Sequence, residues 1–267
     1  MLIQKHARHG LIVLAIAAAL VLGGCSSTPQ VDNAASGPVA MAGPEENWAN
    51  FSGAVDRDRS DVVEFMVRQG INPNMIVKGG DPALVRAIRM ESWSVVETLL
   101  NAPGIDVDTA SEYGETALML AAFKGNMKLV QTLLDKGASV NRVGGWTPLH
   151  YAATQGHDDI VKLLIEKGAR VNVQTAAGVT PLYMAARKPS RQVVMTLLKA
   201  GAWRDLCNDK NQSPADAALK AGDEELAKFL KVEKCAAPLT PYTKAVPAAA
   251  RAKVQSSRAA QSVPSAK

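Results

Sequence analysis

Aromatic residues are scarce in this sequence: Phe, Trp and Tyr make up 4% of its 267 residues, against a hydrophobic content of 47%. An apolar fraction supplied mainly by Ala, Leu and Val argues for stacked helices and against a β-sandwich. Histidine is equally sparse, with four in the chain, and two of them, His6 and His9, sit near the N-terminus. No CxxC, HExxH, GxSxG or GxxxxGKS/T stretch occurs, so zinc, serine-hydrolase and phosphate-loop chemistry lack their residues. The adjacent acids Asp158 and Asp159 read as helix-start charge, and Glu45 and Glu46 as solvation of a tether, not as acid/base pairs. No catalytic residue, metal ligand or cofactor is expected. The uncharged apolar run at residues 11–22 is too short to span a bilayer comfortably.

That run has another use. Lys5 and Arg8 precede it and small residues follow it up to Cys25, which is the layout of a secretory signal. Leu22, Gly23, Gly24 and Cys25 resemble the bacterial lipobox. The resemblance implies cleavage before Cys25, lipidation of that cysteine, and a periplasmic protein held to a membrane. Ser26 stands where Asp would signal retention at the inner membrane, so the outer membrane is the expected destination. Ordinary cleavage nearby, giving a soluble periplasmic protein, is the alternative. Residues 1–24 are therefore read as the signal and 25–46, rich in Ser, Ala, Gly and Pro, as a lipidated, flexible tether.

Residues 145–172, GWTPLHYAATQGHDDIVKLLIEKGARVN, recur down most of the chain with a period near 33 residues. Thr147 is placed to cap a helix and Pro148 to occupy its first turn, where a missing N–H is harmless. Leu149, Ala152 and Ala153 form one apolar stripe. Ile160, Val161, Leu163 and Leu164 form a second, and Gly168 supplies the positive φ of a C-terminal cap. These residues resemble the ankyrin repeat, whose TPLH signature is intact at positions 147–150. The residue opening each first helix aligns as Phe51, Leu84, Leu118, Leu149, Leu182 and Ala215, followed three places later by Ala54, Ala87, Ala121, Ala152, Ala185 and Ala218. The resemblance implies an all-α solenoid of about six helix-turn-helix units with short β-hairpin loops, over residues 47–235, with degenerate outer units acting as caps. It also gives His150 hydrogen bonds within and between repeats, and His157 a turn position. The stretch from Asn141 to Gly145 is two residues shorter than that from Asn172 to Gly178. The hairpin before the fourth unit is thus expected to be clipped, with a Gly144-Gly145 turn holding Trp146 close to the stack. In the fifth unit Pro189 and Ser190 replace the usual turn.

Once Cys25 is committed to lipid, Cys207 and Cys235 remain, an even pair for an oxidising compartment. Cys207 falls in the hairpin before the sixth unit and Cys235 just past its second helix, which in this fold runs back towards the hairpins. A disulfide stapling the last unit is the expectation, two unrelated thiols the alternative. Residues 236–267 contain no Asp or Glu and carry Lys244, Arg251, Lys253, Arg258 and Lys267. They read as a disordered basic tail, either a solvated spacer or a weak, salt-sensitive contact with wall carboxylates or lipid phosphates. Removing the five charges of the tail and the two of the signal from the formal +5 leaves about −2, so the folded body has no basic excess for nucleic acid.

Binding is what remains. In a stack of such units the first helices and hairpin tips make a concave surface, onto which Leu120, Phe123, Tyr151 and Met184 are expected to present an apolar strip. Lys124, Arg187 and Lys188 would edge it, with Tyr113 and Trp146 near the tips. Exposed apolar groups in a row mark contact sites, with aromatics and Arg as favoured anchors. Two functions follow. One is a membrane-tethered module that recruits or inhibits an unidentified periplasmic or envelope protein. The other is a structural envelope protein linking the outer membrane to the cell wall through its tail.

Overall fold

Each apolar residue and the alanine three places beyond it lie on the buried face of a short helix. All six alanines are buried, as are Phe51, Leu84, Leu118, Leu149 and Leu182, and only Ala215 is half-exposed. The computed structural model describes residues 44–142, 145–188 and 190–236. The signal, Cys25, most of the tether, Gly144, Pro189 and the tail beyond Ala236 lie outside the described residues.

The described residues form helices in six pairs and no β-strand. The inner helices are α1 Pro44–Asp56, α3 Ala83–Met90, α5 Ala117–Lys124, α7 Pro148–Gln155, α9 Pro181–Arg187 and α11 Pro214–Lys220. Each is followed by an outer helix: α2 Ser60–Arg68, α4 Trp93–Leu100, α6 Met127–Asp135, α8 Asp158–Glu166, α10 Arg191–Lys199 and α12 Glu224–Leu230. Local chemistry fixes their ends. Thr116, Thr180 and Ser213 accept from the backbone N–H three residues on, and proline opens α7, α9 and α11, where no hydrogen bond is lost. Gly125 ends α5 at φ 72°, and a methyl group there would meet the His157 ring at 2.5 Å, so both the conformation and the space require glycine. The first helix corrects the expected boundary: it begins at Pro44 instead of Asn47, and Glu45 and Glu46 lie in its first turn, where carboxylates complement the free N–H groups.

The expected β-hairpins are reduced to turns. At 77–81, 111–115, 175–179 and 208–212 the first residue's N–H bonds the fifth residue's carbonyl and the fourth residue's N–H bonds back to the first. Among the described residues only the isolated bridges Ile76–Pro82 and Leu206–Ala236 are ladder-like. The limbs are too short to extend a ladder, because helix begins within a residue or two of each turn. Tips join their neighbours through Glu112 N–H to Gly80 and Asp209 N–H to Ala177. At the clipped connection the guanidinium of Arg142 donates to the Gly114 carbonyl instead.

Core contacts run continuously along the inner helices, where alanines allow close approach, and are sparse between outer helices α6 and α8. A second ladder joins the units behind the tips. Asn74, Asn141 and Asn172 each donate to the carbonyl of the glycine closing the next outer helix, Gly104, Gly168 and Gly201, at 2.8–2.9 Å. Each also accepts from the N–H two residues beyond that glycine, at 2.8 Å. One amide thus satisfies a helix-end carbonyl and an N–H together. Asp108 occupies this place in the remaining central unit and accepts from Ser139.

The C-terminal unit is closed covalently. Cys207 and Cys235 form a disulfide with their Cα atoms 5.6 Å apart, and Ala236 N–H bonds the Asp205 carbonyl at 2.7 Å. The last residues described therefore lie along the last turn.

Candidate protein-binding surface

His150 organises the middle of the inner row. It is fully buried on α7, with Nε2 3.1 Å from the Val179 carbonyl of the next unit and Nδ1 3.2 Å from the Thr147 N–H. A carbonyl accepts only, so Nε2 carries the proton and Nδ1 receives the Thr147 N–H and, at 2.9 Å, its hydroxyl. Burial pushes the imidazole pKa down to about 4, which keeps the ring neutral. This is a structural histidine.

Above it the aromatic groups meet. Trp146 lies edge-on to His150 at a centroid distance of 5.3 Å and to Tyr151 at 6.0 Å, and Phe123 meets Tyr151 edge-on at 6.0 Å. Phe123 and Trp146 are each 40% exposed. Edge-to-face contacts hold such rings at fixed angles, so the cluster is preformed. Tyr151 is held from its other end, because its hydroxyl donates to Glu115 at 2.7 Å. Glu115 receives Arg89 at 2.7 Å, and Arg89 also pairs with the buried Asp81 at 2.9 Å. Burial works to raise the Glu115 pKa, but the hydrogen bonds from Arg89 and Tyr151 outweigh it and the group stays ionised. Burial, with the Glu115 carboxylate beside it, raises the Tyr151 hydroxyl.

Two of the expected contact residues turn inwards. Leu120 and Met184 are buried, at 6% and 4% exposure, and belong to the continuous core. They occupy the register position of Tyr151 in the units on either side, but close packing of the inner helices covers an aliphatic side chain there, whereas Tyr151 extends further and ends on Glu115. The strip is therefore a cluster of Phe123, Trp146 and Tyr151. Tyr113 stands apart on its tip with 75% exposure. Lys124 is paired to Glu91 at 2.6 Å, Lys188 donates to the Gln155 amide at 2.8 Å, and Arg187 is exposed. Glu115, Arg89 and Asp81 are the members that sequence reading missed. The distance of 36 positions between Tyr151 and Glu115 gives no local signal. The asparagine ladder did leave one, since Asn74, Asn141 and Asn172 each follow a helix-closing glycine by four residues.

The described residues contain no group of three or more His, Cys, Asp and Glu placed to hold a metal ion. Stacked helix pairs joined by short turns, with an exposed aromatic cluster on the inner row, define the class as a helical repeat protein presenting a preformed surface. Residues 94–175 match the family model of ankyrin repeats in three copies. The chain is 38% identical over 106 residues to the ankyrin repeat domain-containing protein 37 of Bos taurus, covering 39% of this chain and 67% of that protein. It is 29% identical over 180 residues to the human SH3 and multiple ankyrin repeat domains protein 2, and 28% over 160 residues to the mouse B-cell lymphoma 3 protein homolog, covering 66% and 58% of this chain. It spans only 10% and 36% of the lengths of those two. The chain belongs to the ankyrin repeat family, whose arrays generally serve protein–protein interaction and are generally non-enzymatic.

Proposed function

We propose that this chain is a non-catalytic interaction module, anchored in the periplasm by lipidated Cys25, that recruits or inhibits a partner protein through the inner-helix face. The observation that carries the reading is the exposed, edge-to-face cluster of Phe123, Trp146 and Tyr151, pinned through Glu115 and Arg89. Rings held in place before binding lose little freedom on association, so more of their contact energy is available for affinity. Two exposed aromatics that both meet Tyr151 are also what a binding centre needs. Tyr113, Lys124, Arg187 and Lys188 are its margin.

The test is capture from envelope extract by the chain and by a Phe123→Ser/Trp146→Ser variant whose circular dichroism matches the parent. One protein retained by the parent and lost with the variant is the expected result. Equal capture by both sinks the reading. Capture lost only on removing residues 236–267 would favour the structural envelope role. The anchor is tested separately: incorporated palmitate should disappear on Cys25→Ser.

A further inference from the structure

One row of the inner face changes character along the array. Five places beyond the residue that opens each inner helix stand Asp56, Arg89, Phe123, Thr154, Arg187 and Lys220, and six places beyond stand Arg57, Met90, Lys124, Gln155, Lys188 and Ala221. In the N-terminal half every inner-row cation but Arg57, which meets the Gly53 carbonyl, carries a carboxylate: Arg86 on Asp56 at 2.7 Å, Arg89 on Asp81 and Glu115, Lys124 on Glu91. In the fifth and sixth units Arg187, Lys188 and Lys220 are exposed and form no ion pair among the described residues. Lys188 meets only the neutral Gln155. Asp223, the acid three residues past Lys220, is committed to Arg191 at 2.8 Å and to the Leu226 N–H at 2.9 Å.

Cations near a helix C-terminus also answer its dipole. Arg89 and Lys124 meet that requirement equally and still have counter-charges, and Arg57 is a single open cation on the end unit, so the dipole does not explain three open cations in adjacent units. Between the neutralised and the open halves lies the aromatic cluster.

We propose that the partner presents an extended acidic segment to this face. An aromatic or large aliphatic side chain sits against Phe123, Trp146 and Tyr151, and two or three carboxylates run over Arg187, Lys188 and Lys220. This rests on the reading of the inner-helix face as the binding face. Neighbouring helices pack about 8–10 Å apart and an extended chain advances about 3.3 Å per residue, so the carboxylates follow the anchor by about three to six positions. An anionic membrane would use the cations without the rings and would sense charge number, not spacing.

The full chain in detergent is panned against a displayed library of random dodecapeptides. Enriched sequences are expected to carry Trp, Phe or Leu with acidic residues at that spacing. A synthetic copy of one should bind an Arg187→Ser/Lys188→Ser/Lys220→Ser variant about tenfold more weakly, the range of several exposed ion pairs, and should lose that difference in high salt. Enrichment without acids, or equal binding to the cation variant while Phe123→Ser/Trp146→Ser still weakens it, overturns the acidic-segment inference and leaves the binding face standing. Peptides bound equally by both variants overturn both. No enrichment, with phosphatidylglycerol vesicles bound through the three cations, overturns it in favour of a lipid surface.

Discussion

Along the inner helices the junctions between units are made in two ways, beside the asparagine bonds common to both ends and the Arg191–Asp223 pair behind the last junction. Towards the C-terminal end they are joined by buried or partly buried neutral hydrogen bonds: His150 donates to the Val179 carbonyl, and at the same register position in the next unit the Tyr183 hydroxyl donates to Gln212 at 3.3 Å. Towards the N-terminal end the corresponding residues are Met119 and Val85, both buried without such a bond, and the units are joined by ion pairs, Arg86 to Asp56, Arg89 to Glu115 and Lys124 to Glu91. The His150 bond depends on protonation state, and neither neutral bond responds much to salt. An ion pair at the edge of the stack is screened by salt and individually weak. The inner row thus turns on the protonation of one buried imidazole at one end and on screened ion pairs at the other, and the aromatic cluster, touching both His150 and Glu115, sits where they meet.

The sharpest way to break this contrast is His150→Ala. It removes a fully buried ring, strands the Thr147 N–H and leaves the Val179 carbonyl with the Thr175 N–H alone, at a cost of about 2–4 kcal/mol in urea unfolding. Arg89→Ala, at the other kind of junction, should cost far less. Equal losses would erase the distinction.

Acid comes next. The folded-state pKa of His150 lies near 4, below its ordinary 6.5, so the unfolded chain binds the extra proton between those values. Stability from this group is complete above about pH 6.5 and is lost as pH falls towards 4, amounting to about 3 kcal/mol. Unfolding followed by fluorescence across that range should show this slope in the parent, and His150→Gln should flatten it. The smallest effect belongs to salt. Raising ionic strength should weaken the Arg89–Glu115 junction by less than about 1 kcal/mol, because the arginine is more than a third exposed. Hydrogen exchange should place that loss in α3 and α5 and leave α9 and α11 unchanged.

These contrasts explain what the sequence did and did not disclose. The period, the TPLH signature and the six alanines are local patterns, and they gave the six helix pairs and the core. Strand pairing in the loops was over-read, since a turn of five residues between helices has no room for a ladder. Leu120 and Met184 were misplaced because register says which way a position points, whereas exposure depends on how closely the next helix packs. Glu115 could not be joined to Tyr151 from sequence, because their contact depends on how one unit is set against the next. Asp58 and Glu91, non-glycine residues at φ 54° and 62°, mark turns where the outer units depart from the glycine pattern.

The most direct test of the account is site-specific photocrosslinking in the intact cell. A photoreactive phenylalanine replaces Phe123 on the inner row, and in a second strain Gln131 on outer helix α6. The account predicts a discrete protein adduct from position 123 and none from position 131. An adduct at 131 alone, or the same adduct at both, would contradict it.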